Sequence, residues 1–416
     1  MIERLGLILA FCGVVVLTGC DVLPPETPEE PFGPSSGRTG EFCRFTAVTT
    51  DHLNLPLRYQ FDWDDGNRGE WSDYAPSGVP VAMRHAWGAA GAYEVRVRAE
   101  NITGRRSEWS PRHVVLIGPQ SGYPNTVIAS IRVGGDPHGV AKLARGPYLY
   151  VANESYDGVF VVDVDELRVV DTIMCGGVPW QLTVSPDDRY VYVANHYENT
   201  VRVIRTETNS VIATVPVGEV PHALACTPDG EYLYVANINS DDVSVIRTSD
   251  NTVVATVSVG QGPRGLCMLP DGERVYTANT EGSVSVIRTS DNTVIKTIAV
   301  SEFPHRATSS SDGQYVYISQ ADASTVCVIR TSDNTAVGTV PVGWEPHGAG
   351  NVPESDYLYV ASPHEGYLTV VRTSDNTVVD TIPVGMGCCE VSTSSSDDRA
   401  YTADRDARAV SVLARR

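Results

Sequence analysis

The chain has 416 residues, 42% of them hydrophobic, with 36 glycines and 26 prolines, which suits a turn-rich β protein of two or more domains. Its formal net charge of −20 repels phosphate backbones, so nucleic acid is not an expected partner.

In chain order, Glu3 and Arg4 precede an uncharged apolar run from Leu5 to Leu17, too short for a permanent membrane span. The run ends in Leu17-Thr18-Gly19-Cys20, which resembles a bacterial lipobox. That resemblance implies a signal peptide over 1–19, cleavage before Cys20 and a lipid on its thiol. The expected location is the bacterial cell envelope, anchored to a membrane by the N-terminal lipid and facing the periplasm or the exterior. Seven further cysteines, Cys43, Cys175, Cys226, Cys267, Cys327, Cys388 and Cys389, lie in no disulfide framework or zinc spacing and read as small buried hydrophobes.

Residues 20–40, rich in proline and glutamate, are expected as an extended, solvated tether. Over 41–118, Tyr59, Phe61 and Trp63 alternate with polar residues, as do Tyr93, Val95, Val97 and Ala99, a period-2 pattern for strands with one buried face. The segments FDWDDG (61–66), HAWGAAGAYEVRVRAEN (85–101) and SEWS (107–110) resemble a PKD domain, an Ig-like β-sandwich of exported proteins, with fibronectin type III as the competing assignment.

From 119 to 416 one element keeps returning: Tyr150-Val-Ala-Asn153, Tyr192-Val-Ala-Asn195, Tyr234-Val-Ala-Asn237, Tyr276-Thr-Ala-Asn279, Tyr317-Ile-Ser-Gln320, Tyr359-Val-Ala-Ser362 and Tyr401-Thr-Ala-Asp404. The spacing of about 42 residues, filled with short β-type runs, predicts an all-β fold with a seven-bladed propeller of four-stranded blades. Turns such as Pro228-Asp-Gly230 and Asp250-Asn251 separate the strands, because Gly and Asn tolerate positive φ. With VIRTSDNT repeated at 245–252, 286–293 and 328–335, the units resemble the YVTN family of surface propellers. Its usual Asp is replaced by Arg205, Arg247, Arg288, Arg330 and Arg372, read as a solvated row paired with neighbouring carboxylates. The outer-strand pattern occurs first at 125–133, before any inner strand, so this segment is expected to complete the last blade and close the ring.

Just before the inner strands the aligned units carry His138, Trp180, His222, Arg264, His305, His347 and Cys389, a ring expected at the mouth of the central channel. Closure would make units five, six, seven and one neighbours and set His305, His347, Cys389 and His138 on one arc. Imidazole and thiolate suit zinc or copper. Pro-His recurs in YVTN proteins without implying a metal, so no cofactor is the main expectation. No carboxylate–histidine pair recurs at general acid–base spacing, and no nucleophile elbow or nucleotide loop appears. The expected function is a non-catalytic binding or adhesion scaffold for a protein or glycan partner, with the divergent loops ESYDG (154–158) and PHEGY (363–367) at its binding face. The alternative is a metal- or histidine-dependent lactonase, lyase or oxidoreductase acting at the channel mouth.

Overall fold

A computed structural model describes residues 22–34, 36–38, 43–66, 68–88, 91–118, 123–301, 303–353, 355–394 and 398–414. The signal segment 1–19 and Cys20 lie outside the described residues. The chain divides into two compact units, Met1–Ser121 and Gly122–Arg416.

In the first unit one sheet holds β1 (Ser36–Arg38), β3 (Leu57–Asp62), β4 (Arg68–Trp71), β6 (Gly91–Asn101) and β7 (His113–Gly118) in the order β1-β7-β6-β3-β4. A second pairs β2 (Cys43–Ala47) with β5 (Val81–His85). The alternation seen in the sequence sends Leu57, Tyr59, Phe61, Val95, Val97 and Ala99 inward, where they pack with Phe45, Trp63, Trp87 and Val115. The buried Trp87 indole donates to the Trp63 carbonyl at 2.9 Å, as a buried N–H must find an acceptor. The SEWS segment fastens to the neighbouring strand: the Ser107 and Ser110 hydroxyls each accept a backbone N–H, from Ala99 and Val97, at 3.0 Å. Trp109 between them lies under the Arg96 and Arg98 guanidiniums, 5.0 and 4.6 Å from its ring centre.

The segment expected as a solvated tether is corrected here. Phe32 and Thr46 exchange backbone hydrogen bonds of 2.9 and 2.8 Å, Glu26 N–H donates to Thr50 at 3.0 Å, and Ser36–Arg38 joins the larger sheet in parallel with β7. Pro25, Pro28 and Pro31 are buried while their neighbours are exposed. A polyproline helix has three residues per turn, so every third proline faces the same way and can lie on the sandwich without leaving an N–H unpaired.

The second unit contains seven four-stranded antiparallel sheets, the blades. In blade 3 the strands are Pro221–Cys226, Tyr232–Asn237, Asp242–Arg247 and Thr252–Ser258, running from the channel outward. The other blades repeat this pattern. β8 (Thr126–Arg132) pairs antiparallel with Ala409–Ala414 and completes blade 7, so the last sheet joins an early strand to the end of the chain as the strand count anticipates.

The repeated tyrosine owes its place to a contact between blades. Buried Tyr150 donates its hydroxyl to Asn209 of the next blade at 2.8 Å, Tyr234 to Asn292 at 2.6 Å and Tyr317 to Asn376 at 2.9 Å, and Tyr276 bonds Asn334 in the same way. Each of these asparagines sits at the turn before an outer strand with φ of 48–56°. Asn tolerates that left-handed backbone and offers a side-chain acceptor as well. Tyr359 donates instead to the carbonyl of Pro124, just ahead of β8, at 2.6 Å, so the closing strand receives the same stitch.

Candidate functional site

Inner strands begin, and second strands end, on one face of the disc. The seven ring residues stand there at the channel mouth. Ring centres lie 3.8 Å apart for His138 and Trp180, 5.6 Å for Trp180 and His222, 6.2 Å for His222 and His305, and 4.2 Å for His305 and His347. His196, which follows the Tyr192 element, joins them against Trp180 at 4.7 Å and His222 at 5.8 Å; the aligned ring position did not reveal it.

Partners decide the tautomer of His222. The Trp180 indole N–H, a donor only, points at His222 Nε2 at 2.8 Å. Nδ1 therefore carries the proton and donates to the Arg264 carbonyl at 2.8 Å. Burial first, then the Arg264 and Arg306 guanidiniums, hold His222 well below the usual histidine range. Burial does the same for His138, with Arg405 next, and for His305, with His347 next. His347 and His196 are pushed down to about 4 by burial and then by Arg264. At neutral pH the mouth thus presents five uncharged imidazoles.

The metal arc is corrected. Among the described residues no group of three or more His, Cys, Asp or Glu side chains is placed to hold a metal ion. His305 and His347 stack with their planes only 8° apart, so their nitrogens lie in parallel planes and do not aim at a point between them. The Cys389 thiol donates to the Gly387 carbonyl at 2.9 Å, and burial pushes it up to about 12, far from the thiolate a metal needs. His138, His305, His347 and Cys389 share a ring without converging.

One residue further along each inner strand the sequence reads Gly139, Gln181, Ala223, Gly265, Arg306, Gly348 and Glu390. The large members meet across the channel: Glu390 Oε2 accepts from Arg306 Nη2 and from Gln181 Nε2, both at 2.5 Å. Blades 2, 5 and 7 are tied by this buried knot, and the small residues of the other blades leave it room. Extending the repeat alignment by one position would have exposed this tier.

At the mouth end of the blades stand Tyr156, Tyr197, Phe303, Trp344 and Met386 in the connections and Met174 at the end of an outer strand, each 49–69% exposed. The ESYDG loop supplies Tyr156. The PHEGY loop supplies His364, whose ring lies tilted against Trp344 at 4.7 Å and which bonds Glu345 at 2.6 Å. Both divergent loops therefore share the face of the ring. The arginine row lies at the opposite face, on the turns before the outer strands. There Arg247, Arg288, Arg330 and Arg372 pair with Asp250, Asp291, Asp333 and Asp375 at 2.5–3.4 Å. Hydrogen bonds from Arg247, Arg288 and Arg330 first, and from the following threonines, hold Asp250, Asp291 and Asp333 at about 2. These four form the solvated, self-paired row the sequence suggests, whereas Arg205, whose turn has Thr208 in place of that Asp, has no ion pair among the described residues.

Seven antiparallel blades around a histidine-lined mouth, closed by an early strand, define a seven-bladed β-propeller protein. The family model described as "Lactonase, 7-bladed beta-propeller" matches residues 137–217 and 216–389, so the chain belongs to that family. Among solved structures the chain is similar to Kuenenia stuttgartiensis hydrazine synthase, with a TM-score of 0.62 and 20% identity over 71% of this chain and 99% of that one. At that identity the likeness is one of fold. No curated relative matches the chain.

Proposed function

We propose that this chain is a cell-envelope lipoprotein whose propeller, of the YVTN type, recognises a protein partner through its mouth face without catalysis. In this reading Cys20 carries the lipid, and the PKD- or fibronectin-like sandwich spaces the propeller from the membrane. The observation that carries it is the set of exposed Tyr, Trp, Phe and Met side chains around the mouth. Aromatic residues and methionine are enriched where proteins dock. Outside the outer strands, the opposite face of the propeller exposes only Tyr148 and Leu167 as large apolar side chains among the described residues.

A photo-crosslinking residue placed at Tyr197 or Trp344 of the full chain, in cells that export it, is expected to capture one discrete partner. The same residue at Tyr148 is expected to capture none. Equal capture from both faces, or none from either, overturns the reading. Lipid labelling that disappears in Cys20→Ser checks the anchor.

Membership of a lactonase family favours a second reading, in which the mouth histidines open a lactone ring. Turnover of γ- or δ-lactones by the purified full chain, abolished by His347→Ala, would replace the binding reading with this one.

A further inference from the structure

Arg264 is the anomaly of the mouth. Its guanidinium makes no hydrogen bond or ion pair among the described residues, and its Nε is buried without a partner. Other partly buried arginines in the propeller are engaged: Arg306 with Glu390, Arg405 with Glu154, Arg399 with Asp165, Arg202 with Glu198, and Arg274 with the Thr331 carbonyl. Three more buried atoms of the mouth histidines are unpartnered, Nδ1 of His138, of His196 and of His305, and His138 is itself only 8% exposed. Burial lowers the affinity of Arg264 for its proton, and Glu345 is the carboxylate that acts against this. Glu345 stands beyond ion-pair distance and is bonded to His364.

Among the described residues, three carboxylates of the mouth face are already engaged. Glu390 is held by Arg306 and Gln181, Glu154 by Arg405 and Glu345 by His364. The five imidazoles around Arg264 are neutral and supply no anion. A planar guanidinium with unused donors in a half-buried, aromatic setting matches one chemical group above others, the carboxylate, which takes two parallel N–H bonds from the fork. Trp180 and the stacked His305 and His347 supply ring faces to the same mouth. Below, the Arg306–Glu390–Gln181 knot bars the channel, so a ligand arrives from the mouth face and stops there.

We propose that the channel mouth is a receptor for a carboxylate borne on a compact apolar or aromatic group, gripped by Arg264 with the free nitrogens of His138 and His305 beside it. The inference rests on the reading of the mouth face as a recognition surface, and it names the chemistry recognised there. A free carboxylic acid and the C-terminal carboxylate of a partner polypeptide share that chemistry.

The test uses the full chain and three probes: benzoate, a short peptide ending in phenylalanine with a free carboxylate, and the same peptide amidated. Benzoate or the free peptide is expected to raise the melting temperature in a saturable manner and to shift the imidazole NMR signals of His138 and His305. Arg264→Gln is expected to weaken binding at least tenfold. Arg264→Lys, which keeps the charge and loses the fork, also binds more weakly than the native chain. Arg247→Gln on the opposite face leaves binding unchanged. Free peptide binding more tightly than benzoate, with loss on amidation, assigns the carboxylate to a chain terminus; benzoate binding without peptide binding assigns it to a small acid. Silence from both probes on the native chain, or undiminished binding by folded Arg264→Gln and Arg264→Lys, overturns the proposal. Crosslinking at Tyr197 without carboxylate binding sinks the carboxylate receptor and leaves the docking face standing. Carboxylate binding without a crosslink does the reverse.

Discussion

Asp404 occupies a position where four other blades carry asparagine: Asn153, Asn195, Asn237 and Asn279. In blades 3 and 4 that asparagine amide donates to Ser244 and Ser285 at 2.9 Å. In blade 7 the equivalent Ser411, together with Thr402 of the second strand, donates to the Asp404 carboxylate instead. Burial raises this acid from 3.8 to about 6 despite those bonds. The fold therefore favours its protonated form. That contribution is whole below the unfolded value and is lost as pH rises through about 6. Asp404→Asn should stabilise the propeller at pH 8 by an upper figure of about 3 kcal/mol, with the gain fading towards pH 4. Chemical denaturation of both proteins at the two pH values checks this. An equal difference at both would show that ionisation is not the cause.

At the scale of the strand, the inner strands approach one another closely enough that glycine is a packing requirement. A Cβ on Gly265 would meet the His305 carbonyl at 2.6 Å and Arg306 Cα at 2.7 Å, and one on Gly139 would meet the Trp180 carbonyl at 2.8 Å. These contacts are with backbone, which cannot swing aside. Gly265→Ala should cost about 1–3 kcal/mol by overpacking. It should also push blade 5 outward and disturb the mouth, so a denaturation midpoint and the His305 NMR signal should change together. A neutral effect on both would mean that the blades slide more freely than this spacing implies. The same tier shows why small and large residues alternate irregularly around the ring: three long side chains tie the centre, and the other four blades must yield space.

Across the whole molecule, the histidine mouth makes the propeller acid-sensitive. His196 and His347 are held at about 4 in the folded state, and His138, His222 and His305 are held low as well. A lowered folded value means the stabilisation is present above the unfolded value of about 6.5 and is lost as pH falls from there towards 4. Asp404 works in the opposite direction over part of that range, but it is one group against five. The melting temperature should therefore drop between pH 6.5 and 4.5, and His347→Gln should recover part of the drop. A flat profile over that range would place these imidazoles in water.

The periodicity of the Tyr-x-Ala/Ser element determined the seven blades, and the stray outer-strand pattern at 125–133 determined how they close. Both follow from local rules, because strand alternation and turn chemistry repeat wherever their residues repeat. The ring at the mouth was legible for the same reason, since equivalent positions in a closed array must share a circle. What that circle does was decided only in three dimensions. The stacking of His305 on His347, the indole bond that sets the tautomer of His222, the knot of Gln181, Arg306 and Glu390, and the unpaired Arg264 all depend on side-chain direction between blades. A repeat places its residues at fixed radii but leaves open which neighbours their polar atoms face. The proline run was misjudged on similar grounds: composition says such a segment cannot build a core, yet a threefold helix can still lie against one made by others.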